Sequence, residues 1–475
     1  MSIVASFMVP HPPLIVPEVG RGSETQVQKT IDSYKKVADE IARIKPETII
    51  ISSPHAIMYA DYFHISPGEI AVGSFADFGA SKVRFTEQYD TELVETIEAL
   101  ASDIDFPAGT LGQKKRELDH GTMVPLYFIR QKYSKFNIVR IGLSGLALTE
   151  HYALGQIIKR AVEETGRRAV YVASGDLSHK LQEHGPYGFA PEGPEYDKRI
   201  MDVCSRGAFG ELLDFDDNFC DKAAECGHRS FVMMAGALDG NDIVIETLSH
   251  EDVTGVGYGI CIFRVKSDSE GNQVTDESRK FLDIRLKSER EKQLAKQAKS
   301  DAFVRLARKS LETYIMNGKT ISLAEGLQGF SEEEKSMLTS AKAGAFVSIH
   351  EHGLLRGCIG TILPTESTVA EEIIHNAISA STRDPRFDPI RTSEIPYLEI
   401  NVDVLGEPEA IESKDELDVK RYGVIVSCGS RRGLLLPDLD GIDTVDDQIA
   451  IAMKKGGISP GDDYKLERFE VIRHR

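Results

Sequence analysis

Three apolar, β-rich runs in the first 180 residues each end abruptly in a turn that carries a histidine, and no other feature constrains the fold as tightly. Ile3–Val9 (IVASFMV) runs into Pro10-His11-Pro12-Pro13, and Thr48–Ser53 (TIIISS) into Pro54-His55. Ala169–Ala173 (AVYVA) runs into Ser174-Gly175-Asp176-Leu177-Ser178-His179. Short continuous apolar runs separated by helical segments read as strands buried on both faces of a parallel sheet. In open α/β sheets the carboxyl ends of such strands are where ligands bind. Histidines delivered from three strands to one rim meet in space although they are far apart in the chain. A metal or acid–base site is assembled in this way.

The pattern around these runs predicts repeated βα units. Apolar positions Val27, Ile31, Tyr34, Val37, Ala38 and Ile41 predict a helix over 24–44, and further helices are expected near 88–101, 149–164, 195–206 and 221–238. Final strands are expected at 243–248 and 256–265. Residues 1–265 therefore read as an α/β domain, three layers around a mainly parallel sheet. Composition then changes over 266–299, from the polar, turn-rich Ser267–Val274 to a charge-laced helical stretch. Residues 300–475 open with an amphipathic stripe (Phe303, Val304, Leu306, Ala307, Leu311, Ile315), after which strands and helices mix without strict alternation. That predicts an α+β domain with an antiparallel sheet.

Composition excludes several classes of function. A chain of 475 residues exceeds one ordinary core. With 56 basic against 75 acidic residues the formal charge is −19, which repels phosphate backbones and anionic lipids. Neither nucleic acid nor a membrane is an expected partner. No apolar stretch is long enough to span a bilayer and Met1-Ser2-Ile3-Val4 has no basic leader character, so a cytoplasmic location is expected. The six cysteines show no C-x-x-C spacing, which argues for reduced thiols rather than disulfides or structural zinc.

His11 sits between prolines that restrict its backbone, a rigidity suited to a metal ligand. His55 has the same strand-end setting. Two imidazoles need an anionic partner, and Ala223-Ala224-Glu225-Cys226-Gly227-His228 offers two candidates. Glu225 is preferred, because two His and one carboxylate on one face of an ion leave three positions open, as in non-haem Fe(II) oxygenases. Cys226 is the alternative, and its thiolate would favour softer ions. His120, in Leu118-Asp119-His120-Gly121-Thr122, and His179 then serve as neutral imidazoles that move protons near pH 7, with Asp176 and Ser178 orienting His179. His64, His151, His250 and His375 are read as structural.

Those motifs, in this order and spacing, resemble the LigB-type class III extradiol dioxygenases and their Memo relatives over roughly residues 1–265. The resemblance implies that His11, His55 and a later acid bind Fe(II) or another divalent metal, that His179 is the acid/base and that His120 contacts bound oxygen or a small aromatic, catechol-like substrate. The Memo branch carries a cysteine where dioxygenases place the acid.

In the second domain, Gly353-Leu354-Leu355-Arg356-Gly357-Cys358-Ile359-Gly360 implies tight backbone packing or positive φ around Arg356 and Cys358. Together with Thr382-Arg383-Asp384-Pro385-Arg386-Phe387 and Gly429–Pro437 it resembles the AMMECR family over roughly 300–475. Arg356, Cys358, Asp384 and Arg386 are the polar groups expected around a shared cleft. Memo-like, AMMECR-like and radical S-adenosylmethionine proteins form a recurring microbial trio, so the resemblance implies a separate radical enzyme as partner.

Overall fold

The computed structural model describes residues 2–351, 353–439 and 441–475. The chain divides into two units, Met1–Leu286 and Lys287–Arg475, the division falling inside the helix Phe281–Ala298.

The first unit is built on a six-stranded sheet. Its order is Asn137–Gly142, Thr48–Ser53, Ala169–Ser174, Ile3–Val9, Tyr258–Val265, Ile243–Glu251. The first four strands are parallel, and the last two pair antiparallel at one edge. Side chains of the three central strands alternate between two cores. Met8, Ile50, Tyr171 and Ala173 enter one, with the helices Thr91–Ser102, Leu148–Glu164 and His228–Ala237. Phe7, Val9, Ile49, Ile51, Val170 and Val172 enter the other, with Gln28–Ile44 and His120–Arg130. Burial on both faces is why these strands read as unbroken apolar runs rather than alternating ones.

The central strands end together. Val9 pairs with Ser174, and Ser52 with Ala173, so the turns holding His11, His55 and Asp176–His179 leave one rim side by side. The expected helix over 221–238 is two helices, Asp217–Ala223 and His228–Ala237. Ala224 takes a left-handed conformation at φ 53° and breaks the run, leaving Ala224–Gly227 as a non-helical bridge. A hairpin of Ile70–Phe75 and Ala80–Gln88 was not evident from the sequence pattern.

The second unit carries an antiparallel seven-stranded sheet. The helices Ala302–Asn317 and Val369–Thr382 cover one core and Val445–Gly456 a smaller one. The glycine-rich string forms the strand Leu354–Gly360. Gly353 turns at φ 79°, and a Cβ on Gly357 would lie 2.2 Å from the Ala380 carbonyl oxygen, so conformation and close packing both require glycine here. The ladder slips by one residue between Ile349 and His350, which leaves Arg356 unpaired as a bulge.

Candidate metal centre

His11 Nε2 and His55 Nε2 stand 3.0 Å apart, and the Cys226 sulfur lies 3.6 Å from His11 Nε2. These three donor atoms all fall within 4.8 Å of one another. His120 closes the group, its ring centroid 4.0 Å from that of His55 and 5.4 Å from that of His11. His11 is buried, Cys226 half-buried and His55 exposed, which leaves the cluster open on one side.

Hydrogen bonds settle which nitrogen of His11 carries its proton. The Ser174 hydroxyl lies 2.6 Å from the Gly121 carbonyl oxygen, which can only accept, so the single hydroxyl proton points there. The hydroxyl oxygen, 3.0 Å from His11 Nδ1, must therefore accept from Nδ1–H. His11 Nε2 is left with a lone pair aimed at His55 and Cys226. This is the outer support that fixes the tautomer of metal-binding imidazoles. The Asp176 carboxylate accepts the His11 backbone N–H at 2.7 Å, and Ser53 donates to Asp119, the residue that caps the helix beginning at His120.

Electrostatics favour neutral rings. Burial lowers His11 well below its ordinary pKa, and the rings of His55, His120 and His179 lower it further. Burial and then His55 push both His120 and His179 down to about 4. Neutral imidazoles offer lone pairs to a cation without first losing a proton. Burial, with Asp176 and Glu225 nearby, raises the Cys226 thiol well above its usual range. The His11 Nε2 lone pair, the neutral His55 ring beside it and a thiol, with no positive charge among the rings, form a donor set that fits a transition-metal ion.

The family model described as the catalytic LigB subunit of aromatic ring-opening dioxygenase matches residues 5–261, and the AMMECR1 model matches 304–474. The chain is a LigB-family protein fused to an AMMECR1 domain. A protein of Clostridium acetobutylicum is 40% identical over the full length of both chains. A Thermotoga maritima protein is 46% identical over 175 residues, 36% of this chain and 97% of its own. Among solved structures, an uncharacterised Pyrococcus horikoshii protein is 31% identical, covering 37% of this chain and 89% of its own at a TM-score of 0.33.

In the LigB domain the two candidates for the third ligand point to different places. The Glu225 carboxylate does not face the imidazoles as expected. It accepts the His228 backbone N–H at 2.6 Å, capping the start of the helix His228–Ala237. Cys226 is the residue beside His11, and it also accepts the Asp176 N–H at 3.3 Å. Glu225→Gln is therefore expected to cost about 1 kcal/mol of stability, as a weakened cap does, and to change metal affinity far less than loss of a ligand does. Urea unfolding and an anaerobic metal titration of one preparation check both halves.

His179 approaches from the third strand. Its Nε2 is buried, has no hydrogen-bond partner among the described residues and lies 4.0 Å from Asp176 Oδ2. Tyr187 stacks on its ring at 5.0 Å. Ser178 does not orient it, since that hydroxyl donates to the Ala223 carbonyl. Beside His120 opens a cavity of about 570 Å3 with Phe78, Leu118 and Met123 in its wall. Ser174, Phe78 and Tyr187 were not singled out from the sequence. Only Ser174 left a signal there, being the last residue of a strand that ends in a histidine turn.

In the AMMECR1 domain three of the four candidates stay together and the fourth separates. Asp384 accepts from Arg386 Nη2 at 2.7 Å and from the Cys358 backbone N–H at 2.9 Å, which holds these three together. The bulged Arg356 instead pairs with Glu394, Nε to Oε2 at 2.6 Å. It is absent from the cavity that Cys358 and Arg386 line.

Proposed function

We propose that the LigB domain is a non-haem metalloenzyme of the extradiol, ring-opening type. It would hold Fe(II) or a similar divalent ion on His11, His55 and Cys226 and take a small catechol-like aromatic compound. The observation that carries this reading is the convergence of three neutral imidazoles and one thiol on a rim of the sheet, with a cavity beside them. A bound ferrous ion supplies the Lewis acidity and redox couple that ring opening by O2 requires.

The chain's own residues do the rest. His179 Nε2, buried and without a hydrogen-bond partner among the described residues, accepts a hydroxyl proton, and the Asp176 carboxylate 4.0 Å away stabilises the imidazolium that results. His120, neutral at pH 7, is a second proton acceptor on the cavity side. Phe78 and Met123 give the aromatic ring an apolar wall. The test is Fe(II) loading without oxygen, followed by catechols and O2 with ring-opened product measured. Absence of product from every catechol tried, with iron bound, counts against ring cleavage.

A second reading rests on Cys226. A thiol where a hard carboxylate was expected suits softer ions, and supports a metal-binding scaffold that works with a radical S-adenosylmethionine enzyme. Stable metal retention, catechols left intact under O2 and co-purification with such an enzyme favour it.

Both readings share a pH dependence. The rings are neutral, so a bound ion displaces only the thiol proton once the buried carboxyls of Asp176 and Glu225, each pushed up to about 7 by burial, have ionised. At pH 8 calorimetry in buffers of different ionisation heat is expected to show about one proton released per ion. Affinity is expected to weaken at least about tenfold per pH unit as pH falls from there. Release of no proton would mean that the thiol is not a ligand.

A further inference from the structure

The AMMECR1 domain contains a cavity of about 550 Å3 that the LigB reading leaves unused. Its lining mixes Phe346, Leu434 and Leu436 with Cys358, Arg386 and Lys455. The thiol is held in place from two sides: Ser348 Oγ donates to its sulfur at 3.2 Å, and its own backbone N–H is taken by Asp384. Cys358 is nevertheless half-buried rather than sealed. Arg386 Nη2 reaches the Cys358 carbonyl oxygen at 3.4 Å, and Lys455 lines the same cavity.

The two lining carboxylates, Asp403 and Asp438, are drawn to Arg473. Asp403 binds Arg473 Nε at 2.8 Å, and Asp438 acts on the same arginine. Asp384 occupies Nε and Nη2 of Arg386 but leaves Nη1 without a partner among the described residues. Lys455 Nζ likewise has no hydrogen-bond partner among them, and burial lowers its pKa. A partly exposed ammonium without a partner beside a half-used guanidinium is a place for an oxyanion. The leucines beside it accept carbon rather than water.

The geometry points to a binding site for an organic anion, with its carboxylate or phosphate head between Arg386 and Lys455, its apolar body on Phe346, Leu434 and Leu436, and the Cys358 sulfur beside the head. Such a site attracts an anionic thiol reagent over its neutral analogue, whereas most thiols show no such preference.

The test is to alkylate the full-length protein with iodoacetate or with iodoacetamide and follow Cys358 by peptide mapping. In either reaction the sulfur bonds to the reagent's CH2 as the C–I bond breaks, iodide leaves with the bonding pair and the thiol proton passes to buffer. The iodoacetate-to-iodoacetamide rate ratio at Cys358 is expected to exceed that of the urea-unfolded chain by about tenfold. It should fall towards that value in Lys455→Gln and in about 1 M salt, where screening is nearly complete. Octanoate and octyl phosphate should slow the alkylation at concentrations where acetate and inorganic phosphate do not, and the better of the two octyl compounds identifies the head group. Equal ratios in folded and unfolded protein overturn the anion site. Protection by acetate or phosphate as strong as by the octyl compounds overturns the apolar half. If Cys358 reacts with neither reagent, a rise in Tm with octanoate that Lys455→Gln abolishes supports the site, and no rise with either octyl compound overturns it.

Discussion

His55→Ala and Cys226→Ala are each expected to weaken divalent-ion binding by more than about 100-fold, since losing even an outer group that orients a ligand costs about 10–100-fold. His55 is the cleaner test because it is exposed. Its truncation leaves no cavity, and stability should stay within about 0.5 kcal/mol of the parent. His11→Ala should match it in metal affinity but also lower stability, because that ring is buried and holds the Ser174 hydroxyl. Ser174→Ala removes the acceptor that fixes the Nδ1–H tautomer, and an intermediate loss of about tenfold is expected. Cys226→Asp restores a carboxylate, so the preference should move from soft ions such as Cu(I) towards Fe(II) and Mn(II). Anaerobic titration against a competing chelator reads all five variants. Parental affinity in His55→Ala together with Cys226→Ala would remove the metal centre from these residues.

The parts of this centre differ in how they were written into the chain. The strands were legible because Thr48–Ser53 and Ala169–Ser174 are buried along their whole length, so hydrophobicity alone marks them. Their histidines were legible because proline and glycine punctuate the strand ends. The antiparallel register of the second domain's strands was legible only as a class, and the strand Lys465–His474 went unseen because five of its ten residues are charged. The choice between Glu225 and Cys226 was not legible at all. Adjacent residues in a non-helical bridge point different ways according to the backbone dihedrals between them, and no periodicity encodes that. The hairpin over 70–88 escaped for a related reason: Ile70 and Val72 are exposed while Ala71 and Glu87 are buried, so hydrophobicity does not trace the buried face that Phe75 and Phe85 share. Arg356 was grouped with Asp384 because both lie in motifs that carry the AMMECR resemblance, and the bulge that turns it to Glu394 depends on a one-residue slip against a partner strand.

The same long-range dependence makes Gly175→Ala the second large effect. A Cβ at residue 175 would lie 2.1 Å from the Gly227 Cα, backbone against backbone, so no side-chain rotation relieves the clash. Gly227 is pinned from behind, since a Cβ there would meet the Phe231 ring at 2.4 Å. This crossing of two glycines brings Asp176 and Cys226 into mutual hydrogen bonding, Asp176 N–H to sulfur at 3.3 Å and Cys226 N–H to the Asp176 carbonyl at 3.4 Å. Alanine must push the strand-end turn and the Ala224–Gly227 bridge apart by about 1 Å or more. Overpacking of this kind costs about 1–3 kcal/mol. A displacement of about 1 Å in a group that must meet others costs about 100-fold in function. Gly175→Ala is therefore expected to lower the urea midpoint and to weaken metal binding nearly as far as Cys226→Ala, although residue 175 is no ligand. Gly166→Ala is the control: at φ 64° it is strained but has no atom within 4 Å, so it should lose stability and keep metal affinity. If Gly175→Ala binds the ion as tightly as the parent, the crossing does not set the position of the thiol, and Cys226 reaches the imidazoles by some other constraint.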